Sequence, residues 1–322
     1  MKGNRSIRLY SGFNPAQRFY NFGDALGVDL LARLSGRKVD PSPFWSADVL
    51  GPGSILFAGD SLFLTKDLRS ISGFVRAIRE RIRKIVSPHL KIWGAGFIRP
   101  PDRLEGTPSK DFDFCAVRGR LTLDILEKAH LVKKPSSVAL GDPGLLYPIL
   151  LDEMPEKKFA IGIVPHYVDK VAGRNIHEKL LSTGVASTLI DVNGEDSIAV
   201  LRQIASCQTI LSSSLHGCIV SDAMGIPNRQ IQLSMISAKP SPEYLDYAFK
   251  FLDYYSVYGI TSINPMQINE FYDDPGGLPN RIRDGYGIVA AKVEEVRQNL
   301  LSSFPYRKVT SGKRLKRDLS ME

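Results

Sequence analysis

The run Ser212-Ser213-Ser214-Leu215-His216-Gly217 sets one imidazole among three hydroxyls and a glycine. The apolar stretch Gln208-Thr209-Ile210-Leu211 comes before it, and Cys218 to Ala223 follow with apolar residues at helical spacing, ending at Gly225-Ile226-Pro227. That order predicts a short buried strand, a small-residue turn and a helix. A histidine in the first turn of such a helix lies beside unpaired backbone N–H groups and the positive end of the helix dipole. Serines and Gly217 allow an anion to come close to the backbone. Strand-to-helix turns are also where open α/β sheets hold ligands. The chemistry on offer is proton donation to an anionic substrate. The competing reading is a histidine that only caps a helix.

The elements that must position this turn alternate along the whole chain. Residues 54–59, 90–96, 112–117 and 138–143 read as strands, with helices over 25–34 and 121–129 between them. A charged, proline-containing stretch at 151–158 reads as a linker. The rhythm restarts with a strand at 159–166, a helix near 176–183, a strand at 187–192 and a helix over 197–205. Val289, Val293, Val296, Leu300 and Phe304 repeat at helical spacing and are expected to close the second half. The expected fold class is therefore α/β, with mostly parallel sheets covered by helices on both faces. Two such domains, 1–152 and 158–305, should face a cleft, followed by a poorly ordered basic tail at 306–322.

Composition narrows the classes. Hydrophobic residues make up 43% and charged residues 24% of 322 residues, as in an ordinary globular protein. No apolar run approaches the ~20 residues of a membrane span, and Met1-Lys2-Gly3-Asn4-Arg5 lacks a signal-peptide stretch. Cys115, Cys207 and Cys218 lie in apolar segments, which suggests reduced thiols and a cytoplasmic location. Their spacing and that of the histidines fits no zinc site, so no metal is expected. The net charge of +8 calls for an anionic partner. Arg76, Arg79, Arg81, Arg83 and Lys84 flank Ile78, Ile82 and Ile85 on a basic amphipathic helix over 76–86, and Lys313, Arg314, Lys316 and Arg317 lie in the tail. Neither cluster is interleaved with aromatics, which argues against nucleic acid.

Further motifs occur in order: Asn21-Phe22-Gly23-Asp24-Ala25-Leu26, Trp93-Gly94-Ala95-Gly96, Val117-Arg118-Gly119-Arg120, Leu140-Gly141-Asp142-Pro143, Ile161 to Tyr167, Ser213 to Gly217, and Lys250 to Tyr255. The set resembles the polysaccharide pyruvyl transferases, particularly the bacterial exopolysaccharide ketal-forming members, over roughly residues 8 to 300. The resemblance implies a GT-B-like pair of Rossmann-like domains. It implies transfer from phosphoenolpyruvate, a co-substrate, to a sugar of an exopolysaccharide repeat unit, with release of phosphate and no separate cofactor. The acceptor would be a lipid-linked oligosaccharide, reached from the inner face of an anionic membrane that the basic helix contacts.

Residue by residue, His216 matches the family's proton donor, and Arg118 the arginine that would grip carboxylate or phosphate through parallel hydrogen bonds. Ser213, Ser214, Leu215 and Gly217 complete the donor loop. Many family members carry arginine where this chain has Ser214, so Lys250 or His166 would supply the missing cation. Asn21 and Asp24 open the first long helix as caps or as acceptor contacts. Asp24 or Asp142 is the candidate base, and Gly94 and Gly96 would admit a close backbone approach. Gly94-Ala95-Gly96 lacks the third glycine of a dinucleotide fingerprint. Two rival readings stay open: a GT-B glycosyltransferase using a nucleotide sugar, and a non-catalytic anion- or carbohydrate-binding protein.

Overall fold

The computed structural model describes residues 5–11, 22–56, 71–86, 89–101, 104, 108–193, 196–233 and 247–306. Asn21 and the tail beyond Tyr306 lie outside them. Two parallel sheets organise the chain. The first takes β1 (Ile7–Tyr10), β2 (Val39–Pro41), β3 (Val49–Leu50), β4 (His89–Ala95), β5 (Asp111–Val117) and β6 (Ala139–Leu140) in the order β2-β1-β3-β4-β5-β6. The second takes β7 (Phe159–Val164), β8 (Ser187–Leu189), β9 (Cys207–Ser212), β10 (Asn228–Gln232) and β11 (Met266–Gln267) in the order β11-β10-β9-β7-β8. Each half is wound alike: the second strand lies outside the first, and the third returns to its other side. The chain is an α/β protein of two Rossmann-like halves.

Burial on both faces explains the sequence of the strands. In β4, Leu90, Ile92, Trp93 and Ala95 are all buried, as expected where helices cover both sides of a parallel sheet. The first helix, α1 (Phe22–Ser35), buries Phe22, Leu26, Leu30 and Leu31 and carries Asp24 in its first turn, where its charge suits the dipole. Each such leucine contributes about 1.5–3 kcal/mol by leaving water. α1 does not belong to one half only. Its Phe22 N–H donates to Val192 O of the second half at 3.1 Å. One apolar core runs from Ile7, Leu9 and Phe22 to Val164, Ile210 and Ile219.

Two expectations are corrected. Among residues 54–59 the described part, Ser54 to Leu56, is not a strand; the ladder is at Val49–Leu50, and only Gly53 bridges Ala95. Ile55 and Leu56 are apolar because they are buried, not because they pair. The helix over 290–303 does not close the second half. It returns to the first sheet, where Trp93 Nε1 donates to Leu300 O at 3.1 Å and the Trp93 and Phe304 rings stack edgewise.

Candidate functional site

In open parallel sheets, ligands gather beyond the carboxyl ends of the strands where the winding reverses. In the second sheet that point lies between β7 and β9, which pair directly. Beyond β7 come Pro165 and His166; beyond β9 come Ser213, Ser214 and α6 (Leu215–Ala223), with His216 in its first turn.

The serine turn is held from within. Ser212 Oγ accepts from Ser214 N–H at 3.0 Å and lies 2.9 Å from Val164 O. Ser213 Oγ donates to Asp169 Oδ2 at 2.6 Å and accepts from His166 N–H at 2.9 Å. Ser214 is the residue before the helix, yet its side chain makes no capping bond. Leu215 packs into the core, and a methyl at Gly217 would strike Ser212 Oγ. These residues shape the turn and aim His216.

His216 is 7% exposed and its ring rests on Gly23 of α1. A side chain at Gly23 would put its Cβ 2.2 Å from Nδ1, so glycine is what lets the two halves meet here. Phe22 closes another side, edge to face at 6.1 Å. Nε2 is buried and has no hydrogen-bond partner among the described residues. An orphaned polar atom inside a protein costs roughly 1–3 kcal/mol and calls for an explanation. Burial first, then the nearby cations Lys250 and Arg118, push its pKa down to about 3. With only protein charges around it, the imidazole is neutral.

Lys250 comes from α7 (Tyr247–Tyr255) and is buried, its Nζ 5.6 Å from the Phe251 ring centroid. Burial and the repulsion of Arg118 lower its pKa to about 8, against the pull of Asp169 and Asp24. His166 stacks on Tyr167 at 4.3 Å between centroids, and burial with Lys250 lowers its pKa to about 4. Asp24 is buried beside Gly53. Lys250 is thus the cation within electrostatic reach of all four of His216, His166, Asp169 and Asp24.

Arg118 sits at the end of β5 and is differently placed. Its side chain is 0% exposed. Nε donates to Asp253 Oδ2 at 3.0 Å, Nη1 to Ser54 Oγ at 2.6 Å, and Nη2 to the Phe97 carbonyl. The guanidinium lies flat against Gly96, and Gly94 leaves room for Pro143; neither glycine opens onto a ligand space. Substrate can reach Arg118 only if one of these contacts yields. Asp253 also accepts from Thr122 N–H and Oγ1 at 2.8 and 2.7 Å, so it caps α3 (Arg120–Lys128), whose own cap residue is Gly119. A Cβ at Gly119 would fall 1.7 Å from the Asp253 carbonyl oxygen.

Asp142 is fully buried at the start of the 3₁₀ segment Pro143–Leu150. Its Oδ1 accepts from Gly144 N–H at 2.8 Å, and its Oδ2 has no partner among the described residues. Burial raises its pKa to about 6, opposed by Gly144 N–H and by Arg118. Among the described residues, no three His, Cys, Asp or Glu side chains could hold a metal ion together.

Sequence reasoning missed Asp253, Thr122, Asp169 and the seat on Gly23. One signal was present: Lys250 and Asp253, three apart on one helix face, are the only charges in an otherwise aromatic and apolar run.

The chain is 36% identical over 179 residues to the uncharacterized protein L143 of Acanthamoeba polyphaga mimivirus, covering 52% of this chain and 59% of that protein. It is 28% identical over 139 residues to the succinoglycan biosynthesis protein ExoV of Rhizobium meliloti (strain 1021), covering 42% and 39%. The matches thus span well under two thirds of either relative. A solved, functionally uncharacterized protein of Klebsiella pneumoniae covers 78% of this chain and 87% of its own, at 12% identity and a TM-score of 0.34, too low to carry an argument. The family model for polysaccharide pyruvyl transferase matches residues 21–229, more than half of the 322 residues, and the chain belongs to that family.

Proposed function

We propose that this chain transfers a pyruvyl group from phosphoenolpyruvate to two hydroxyls of a sugar in an exopolysaccharide repeat unit, with His216 as general acid. The observation that carries this reading is the buried Nε2 of His216, without a hydrogen-bond partner among the described residues and within electrostatic reach of Lys250. A proton donor must be free of other partners and aimed at its acceptor, and an anionic donor needs a desolvated cation.

The chemistry balances without a cofactor. His216 delivers a proton to the methylene carbon of the enol, making a methyl group and leaving a cationic carbon. One sugar hydroxyl attacks that carbon and loses its proton to Asp24, the less deeply sealed of the two candidate carboxylates. The C–O bond to phosphate then breaks, and the second hydroxyl closes the ketal. Two hydroxyl protons are given up: the first passes from Asp24 to the departing phosphate, which leaves as hydrogen phosphate, and the second restores the imidazolium. The neutral imidazole of the unliganded site fits this sequence, because the donor's phosphate and carboxylate would favour imidazolium where Lys250 now opposes it. Donor binding and proton uptake are then one event. Lys250 is the cation that stands in for the arginine expected at Ser214. Arg118 contributes its charge and, through Asp253, the placement of α7. A GT-B-like closure of the two halves around the acceptor belongs to the same reading.

The test is acceptor-dependent phosphate release from phosphoenolpyruvate, run in deuterated water. The expected product carries one deuterium in its ketal methyl group. Phosphoenolpyruvate should raise the melting temperature and a nucleotide sugar should not; the reverse pattern would move the chain to the glycosyltransferase reading.

A further inference from the structure

The helix α2 (Ile71–Val86) is turned the wrong way round for a helix of a globular protein. Amphipathic helices bury their apolar stripe. Here Phe74, Val75, Ile78, Ile82 and Ile85 are between 43% and 80% exposed. At 3.6 residues per turn these five positions fall within about 100° of arc, one continuous stripe. The face that packs on the protein is the opposite one. It holds Ala77 at 0% and Glu80 at 5% exposure, with Arg76 Nε paired to Glu80 at 2.9 Å and Lys84 Nζ donating to Pro108 O at 2.7 Å. Exposed Arg79 and Arg81 border the stripe, one along each edge. Glu80 is the helix's single carboxylate, and it is turned inward.

We infer that α2 seats this protein on an anionic lipid bilayer, with the apolar stripe at the acyl boundary and the bordering arginines among the headgroups. An in-plane helix of this kind is held by apolar burial and by attraction to anionic lipid together. A second copy of the chain is the poorer occupant. A two-fold contact through α2 would bring arginine edges against arginine edges with no exposed carboxylate on the helix to answer them. Among the described residues no helix is long and apolar enough to cross a membrane, so the contact would be peripheral. This inference is independent of the pyruvyl-transfer reading, because its readout is partition and not turnover.

The experiment floats the full chain with vesicles of phosphatidylcholine, alone or with one-third phosphatidylglycerol. The protein should rise with the anionic vesicles only, and less so as salt is added. Replacing Ile78, Ile82 and Ile85 together by serine should abolish flotation with the melting temperature kept, since all three side chains are exposed. Arg79→Gln should lower the partition about fivefold, and Arg81→Gln by as much again. Equal recovery on neutral vesicles would overturn the inference, as would flotation of the triple variant at the level of the unaltered chain. So would a stable dimer in sedimentation that the triple variant converts to monomer without any vesicle binding.

Discussion

Arg118 and His216 are both buried and within electrostatic reach of each other, and the protein treats them in opposite ways. Around Arg118 every nitrogen has an acceptor, and Asp253 returns an opposite charge at 3.0 Å. Around His216 the balance is incomplete: among the described residues its buried Nε2 has no hydrogen-bond partner, and burial with the nearby cations lowers its pKa to about 3. A satisfied buried network rigidifies; an unsatisfied one is held in place for something that arrives later. The difference separates the part of this site that builds from the part that reacts.

The comparison predicts that the two regions fail differently. Asp253→Ala leaves the Arg118 charge buried and the α3 N-terminus uncapped, so unfolding in denaturant should show a loss of about 3–5 kcal/mol. An unchanged midpoint would mean that the cluster is not structural. His216→Gln should leave stability near neutral pH almost unaltered while turnover falls at least ~10²-fold, about 2.7 kcal/mol of barrier. Turnover close to that of the unaltered chain would remove the proton-transfer role.

Acid should expose the same residue. The unfolded imidazole takes up its proton near 6.5, whereas the folded one stays neutral down to about 3. Stability is therefore unaffected by this group above 6.5 and falls as pH drops between those values, by up to about 1.4 kcal/mol per pH unit. His216→Gln should flatten that slope in denaturant titrations; an identical slope would place the ring in water. The smallest effect belongs to Lys250. Donor affinity, measured by calorimetry, should weaken as pH rises through about 8 and the ammonium loses its charge. Lys250→Met should bind roughly tenfold more weakly below pH 8 and show no such decline, the size of one charge-assisted bond. A variant with the original pH dependence would assign it to another group.

Much of this was legible in the residues. The strand, turn and helix around His216 follow from an apolar run, three serines and a glycine, and they stand at 207–212 and 215–223. The α/β alternation follows from local periodicity in the same way. What escaped was set by distance in sequence. Asp253 reaches Arg118 across 135 positions, and no local pattern announces that partnership. Ser54 to Leu56 were misread because burial selects the same residues in an extended loop as in a strand. The stripe on α2 was visible as a stripe, but which face the protein covers is decided by its neighbours. Gly23 stands at the start of α1, as its place in the sequence suggests, and is also the floor beneath an imidazole.

The last helix carries a consequence for biosynthesis. Trp93, at the heart of the first sheet, finds its acceptor at Leu300, 207 positions further on. A ribosome must therefore make almost everything described here before that indole nitrogen is answered and the amino-terminal layer is sealed. The nascent amino-terminal half emerges with an exposed apolar flank, and chaperone dependence during synthesis should track how long that flank waits for its cover.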